Sequence, residues 1–210
     1  TNGIDNTKES MIWIKNRGAT AHHQVHDTIR GGTNYLFTDT NGAAGTDAGY
    51  HINTFNNNGF TLQGNGVGTN ASSNTFTSWN FKSAPGFFDV VTYTGNGDAR
   101  TIAHSLGSVP GCIMIKCTSQ AQDWVVYHRS SNASPEDYVL RLNSNIAAFS
   151  AAAFNNTLPT STNFSLGSAG SINGNGETYV AYVFAGGEST AATARSVDLS
   201  SSASSSANKR

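Results

Sequence analysis

One strand pattern occurs twice in this chain, in the same order, and that constrains the fold more than any other feature. Met11-Ile12-Trp13-Ile14-Lys15 aligns with Cys112-Ile113-Met114-Ile115-Lys116 at a shift of 101 residues, and at that shift His23-Gln24-Val25-His26 falls on Trp124-Val125-Val126-Tyr127. With small changes of shift, Tyr35-Leu36 meets Tyr138-Val139 and Phe60-Thr61-Leu62 meets Phe164-Ser165-Leu166. Thr75 to Phe81, which contains Ser78-Trp79-Asn80, then meets Thr178 to Phe184. Each copy opens with a strand that is apolar on both faces, as a central strand is, and closes with one whose aromatics alternate.

Between these runs lie clusters that tolerate positive φ: Asn58-Gly59, Gly64-Asn65-Gly66, Gly95-Asn96-Gly97-Asp98 and Asn173-Gly174-Asn175-Gly176. Almost no stretch has a 3.6-residue apolar period. Strands are therefore predicted at Met11 to Asn16, His23 to Ile29, Tyr35 to Thr38, Phe60 to Gln63, Thr75 to Lys82 and Phe87 to Thr94. In the second copy they are predicted at Cys112 to Lys116, Trp124 to His128, Tyr138 to Leu142, Asn163 to Leu166 and Thr178 to Phe184. A sheet of about five strands must cover its apolar face, and its own duplicate is the economical partner. The expected fold is all-β, an antiparallel β-sandwich of concanavalin or jelly-roll type formed by two duplicated units, with two small barrels in tandem as the alternative.

The expected organisation is an N-terminal extension over 1–9, a first repeat over 10–83, a connecting strand and turn over 84–111, and a second repeat over 112–187 packed on the first. The remaining residues, 188–210, are rich in Ser and Ala and read as a tail or linker, although Ala194 to Leu199 has some β character and could add an edge strand.

Charged residues make up 12% of the chain and the net charge is −1, so there is no basic stripe to neutralise a phosphate backbone and nucleic-acid binding is not expected. No apolar run reaches the ~18 to 20 residues of a membrane helix, and membrane insertion is not expected either. Cys112 and Cys117, five apart in one strand, point to opposite faces and should not bond each other. Two isolated thiols fit a chain assembled in a reducing cytosol.

Few constellations carry chemistry. His22 and His26 would share a metal only on a helix; on a strand they lie about 13 Å apart, so ordinary strand positions are expected and no metal. Serines and histidines are present, but no Gly-x-Ser-x-Gly elbow frames a nucleophile. Asp89, Asp123, Glu136, Asp137 and Glu177 form no assignable acid/base pair, so neither an enzyme nor a cofactor is expected. The Gly/Asn loops lack the acidic spacing of a calcium loop and the lysine of a phosphate loop, and read as turns. Rings beside Asn-rich loops can stack on apolar sugar faces while amides read hydroxyls, which makes Trp79 and Tyr50 candidate glycan contacts. Trp124 is a third candidate, with core packing its more natural use.

Ile12-Trp13-Ile14-Lys15-Asn16-Arg17, Asp27-Thr28-Ile29-Arg30-Gly31 and Phe55 to Leu62 resemble a repeat of virion structural proteins from marine bacteriophages of the cyanophage type. Val91 to Gly97, His104-Ser105-Leu106-Gly107 and Asn173 to Tyr182 match the second half of that pattern, so the resemblance covers about residues 10 to 187. The pattern usually has Tyr where His26 stands, and Ala-Trp is commoner where Ser78-Trp79 closes the first copy. The resemblance implies a tail-fibre-like or appendage protein of the virion surface that contributes to attachment to host glycans. Its alternatives are a capsid-bound decoration or fibre protein, a free lectin, and a glycan-degrading enzyme. It implies no catalytic residues. The expected partners are copies of the chain itself, with a trimer favoured for a fibre, and other virion proteins. The expected location is the virion, after assembly in the bacterial cytoplasm.

Overall fold

In the computed structural model, residues 3–47 and 49–187 are described, and the stretch read as a tail, 188–210, lies outside them. The first half runs through β1 (Ser10–Asn16), β2 (Gln24–Asp27), β3 (Asn34–Phe37), β4 (Gly45–Thr46), β5 (Ile52–Asn56), β6 (Gly59–Leu62) and β7 (Phe76–Lys82). The second runs through β8 (Phe88–Thr94), β9 (Arg100–Ala103), β10 (Pro110–Cys117), β11 (Val125–His128), β12 (Tyr138–Arg141), β13 (Phe149–Ser150), β14 (Asn163–Leu166) and β15 (Thr178–Ala185). One turn of helix, α1 (Gly170–Asn173), precedes β15.

The duplication is visible in the pairing. One sheet has the order β4-β3-β2-β1-β7, the other β13-β12-β11-β10-β15-β8, all antiparallel. Ile12 faces His26 as Ile113 faces Tyr127, and Trp13 faces Trp79 as Met114 faces Tyr182. One alignment needs correction by a residue. Val25 pairs with Leu36 where Val126 pairs with Leu140, so Leu36 corresponds to Leu140 and not to Val139. A one-residue slip would turn every side chain of the strand to the other face, and the register keeps both leucines on the side of the shared core.

That shared core makes the protein a sandwich rather than two barrels. Met11, Val25 and Leu36 from the first sheet pack with Met114, Trp124, Val126, Val180 and Tyr182 from the second. The Trp124 indole N–H donates across the interface to the Phe37 carbonyl at 2.9 Å, which places this ring in the core. Because the central strands are apolar on both faces, each sheet also needs an outer cover. The β5–β6 hairpin covers Ile12 and Ile14 of the first sheet, adding Ile52, Phe55, Phe60 and Leu62. Over the second sheet, β14 pairs with β9 and brings Ile102, Phe164 and Leu166 onto Ile113, Ile115 and Tyr179, with Ile172 of α1 beside them. The result is four layers, and Ile14, Ile113 and Ile115 are buried as their strand positions require, while Trp13 is half-buried beside the exposed Trp79 of β7. Cys112 lies on the inner face and Cys117 on the outer, and both are free.

One buried polar link ties the sheets together. Asp27 at the end of β2 accepts from the Arg30 Nε at 2.5 Å and from the Tyr182 hydroxyl at 2.7 Å, while Arg30 Nη2 donates to the same hydroxyl at 3.0 Å. Asp27 and Tyr182 have no exposed surface, and the Arg30 side chain keeps only 10% of its own, so the ion pair is largely withdrawn from water.

Candidate functional site

A cavity of 710 Å³ opens beside the end of β7 and is walled by four segments. Alternation along β7 sends Asn80 and Lys82 to the outer face, opposite to Trp79 and Phe81. The turn between β5 and β6 contributes Asn57, and residues 3–5 contribute Ile4 and Asp5. Asn6 pins this N-terminal segment: its backbone N–H donates to the Asn56 carbonyl and its Nδ2 to the Gly59 carbonyl, each at 2.9 Å. The fourth wall is the tight turn Ala84–Phe87, in which Gly86 takes a φ of 71° and Phe87 N–H returns to the Ala84 carbonyl. That turn leaves the Phe87 ring 48% exposed at the rim.

The lining combines one ring, two amides, an ammonium and a carboxylate. The Thr7 hydroxyl, with Lys82 and Lys8 contributing, holds the Asp5 carboxyl below its ordinary range, so it is an anion at neutral pH. Asn80 donates through Nδ2 to the Ser78 hydroxyl at 3.1 Å, whereas its Oδ1 is buried without a partner. A cleft of this size with a few convergent polar groups suits a small polar ligand bearing an apolar face.

The two rings singled out in the sequence are both exposed, Tyr50 by 52% and Trp79 by 48%, yet neither lines this cavity. Tyr50 sits just before β5, its carbonyl accepting from the Thr69 hydroxyl at 2.6 Å. Trp79 lies on the inner face of β7, edge-on to Trp13 with ring centroids 6.0 Å apart. Phe87 is the ring that lines the cavity, and sequence reasoning placed it in a strand because it opens the run Phe87 to Tyr93. Its only signal was the preceding Pro85-Gly86, a turn that lifts the next residue out of the sheet.

The histidines are separated. His22 bonds the Asp39 carboxylate at 2.9 Å and stacks on Phe37, whereas His26 turns into the outer layer of the first sheet. There His26 donates to the Gly32 carbonyl at 2.8 Å and sits against His51, which stacks on Tyr35. Burial, with His51 adding to it, lowers the His26 pKa to about 3. Among the described residues no three His, Cys, Asp or Glu side chains gather around a metal position, and no helix is long and apolar enough to cross a membrane.

The Gly/Asn loops bond each other. Gly97 N–H donates to the Asn173 carbonyl at 2.8 Å and Gly176 N–H to the Gly95 carbonyl at 3.0 Å, and a Cβ on Gly95 would lie 2.2 Å from the Gly174 oxygen. The repeated lysine also has a structural use: the Lys116 ammonium donates to the Cys117 carbonyl at 2.7 Å, as Lys15 does to the Ala21 carbonyl at 2.9 Å. Burial lowers the Lys116 pKa to about 8.

Fold and surface together define a duplicated, all-β sandwich with exposed rings and, at one sheet edge, a ring-rimmed cleft whose mostly apolar wall carries a few polar groups. The chain belongs to the DUF7483 family, a domain of unknown function, whose model matches residues 3–193. No curated protein and no solved structure matches it.

Proposed function

We propose that this protein is a virion surface component of a bacteriophage, tail-fibre-like or appendage in kind, that contributes to attachment to host-surface glycans. The observation that carries the binding role is the 710 Å³ cleft, where the exposed Phe87 ring stands beside the amides of Asn57 and Asn80 and the charges of Asp5 and Lys82. A ring face stacks on the apolar face of a sugar, while amides and charges read its hydroxyls. The virion assignment is supported by the ordered motifs from Ile12 to Tyr182 that resemble the phage repeat. Exposed Tyr50 supplies a second, separate ring for an extended glycan.

Glycan-array binding of the purified chain, compared with Phe87→Ala and Asn57→Ala, tests the binding role. Both variants should lose the signal of any sugar the parent retains while keeping the parental melting temperature. An array with no bound sugar would instead favour a capsid-bound decoration protein, and product release from a host polysaccharide would favour an enzyme. Antibody labelling of intact particles places the chain on tail or capsid, and particles without label would refute the virion assignment.

A further inference from the structure

The duplication supplies its own control for what is missing at the edge of the first sheet. β15 and β7 are the same strand in the two copies, and β15 lies between β10 and β8, whereas β7 has β1 on one side and no strand on the other among the described residues. Backbone direction shows which groups are left over. Arg17 N–H bonds the Thr75 carbonyl and Ser83 N–H bonds the Glu9 carbonyl, so odd-numbered residues of this strand turn their N–H and C=O groups toward β1. Phe76, Ser78, Asn80 and Lys82 therefore turn theirs outward. In the second copy the corresponding residues are Tyr179, Ala181, Val183 and Ala185. The bonds from Gly95 N–H to the Glu177 carbonyl and from Ala185 N–H to the Phe87 carbonyl show that this set faces the adjoining strand.

The same comparison accounts for Trp79. Its counterpart Tyr182 is fully buried, stacked near Phe88 of β8, while Trp79 is 48% exposed beside a strand position that no described residue fills. An exposed flat edge with a large ring is a site of strand addition unless it is blunted, and the usual blunting devices are absent over its centre. There is no proline in β7, and its sole charge, Lys82, stands at the end.

We propose that β7 pairs antiparallel with β7 of a second copy of this chain, about a twofold axis at Trp79, to join two five-stranded sheets into one. The strand complements itself in that register. Phe76 meets Lys82 of the partner subunit and Ser78 meets Asn80 of the partner subunit, so all four outward-facing residues fall in hydrogen-bonded pairs. Trp79 meets its own copy in the close, non-hydrogen-bonded position, where cross-strand aromatic pairs contribute most. The two Lys82 ammonium groups lie at opposite ends, about 20 Å apart at ~3.3 Å per residue, beyond the range of strong repulsion in physiological salt. This assigns Trp79 to self-association and leaves glycan contact to the cleft around Phe87.

Sedimentation and light scattering of the full chain over micromolar to millimolar concentration test the proposal. The expected result is a reversible dimer of twice 22.0 kDa, with tryptophan emission shifting to shorter wavelength as it forms. Trp79→Lys should weaken dimerisation roughly tenfold or more, because two ammonium groups then meet at the axis. Ser78→Pro should do the same by removing an outward N–H without touching the bonds to β1. Trp79→Lys alone suffices should the proline variant fail to fold, its parental circular dichroism showing that the fold is intact. A monomer at all concentrations, or an oligomer that both variants leave unchanged, overturns the proposal. So does dimerisation that appears only when residues 188–210 are removed, because that segment would then be the occupant of the edge. Glycan binding retained by Trp79→Lys and lost by Phe87→Ala would show that Trp79 serves self-association and not glycan contact.

Discussion

Replacing Tyr182 by Phe removes one oxygen from the seam between the sheets and leaves the ring in place. That oxygen donates to Asp27 at 2.7 Å and accepts from Arg30 at 3.0 Å, and burial pushes its pKa well above the ordinary 10.0, so it remains a donor across the neutral range. Asp27 would keep the Arg30 Nε and the Arg30 backbone N–H at 2.7 Å, but Arg30 Nη2 would join Nη1 as a buried donor without a partner. Hydrogen bonds to charged groups contribute about 1.5–3 kcal/mol each, and a retained partner offsets part of the loss, so the cost should be roughly 2–4 kcal/mol. Urea unfolding followed by tryptophan emission reads this as a midpoint lowered by about 1–2 M with an unchanged slope. The same substitution made beside Asp27→Asn should cost at least about 1 kcal/mol less, because the charged acceptor is already gone. A Tyr182→Phe midpoint within about 0.2 M of the parent would refute the idea that this network holds the two sheets together.

Acid should destabilise the fold through His26. Its folded pKa of about 3 lies below the ordinary 6.5, so the stability it contributes is complete above pH 6.5 and is lost as pH falls toward 3. The slope should approach ~1.4 kcal/mol per pH unit from this residue, and His26→Gln should flatten it in urea titrations at pH 7, 6, 5 and 4. Lowered values at His51 and His104, also from burial, add to the parental slope in the same direction. In the core, Ile14→Ala and Ile115→Ala should each cost about 2–5 kcal/mol in the same unfolding assay, since both side chains are buried under separate outer covers. A cost below about 1 kcal/mol at Ile115 would mean that the β9–β14 cover does not pack as described.

The strands of the repeat and their correspondence between copies were legible because alternation, turn residues and repetition all act locally, and equivalent strands took equivalent places in the two sheets. β8 also fell where its apolar run suggested, completing one edge of the second sheet. The short strands β4, β5, β9 and β13 were not legible, since an Asn-rich run such as Ile52–Asn56 becomes a strand only when its partner is brought alongside. β9 depends on β14, some 60 residues away in the chain. The candidate site divided along the same line. Exposure of Trp79 and Tyr50 was readable from rings beside polar turns, whereas the cleft draws on residues 3–5, 57, 80–82 and 84–87, which no local pattern connects.

By itself, the sequence determined that this chain is a duplicated antiparallel β-protein, because a repeated strand with apolar residues on both faces must be covered on both sides, whereas the core that the two sheets share, which makes it a sandwich and not two barrels, came from the tertiary structure. Tertiary structure alone decided where the copies differ. The same strand is sealed by β8 in one copy and has no neighbour on that side among the described residues in the other, since the position of a neighbouring strand depends on which chain segment can reach it and not on the strand's own residues.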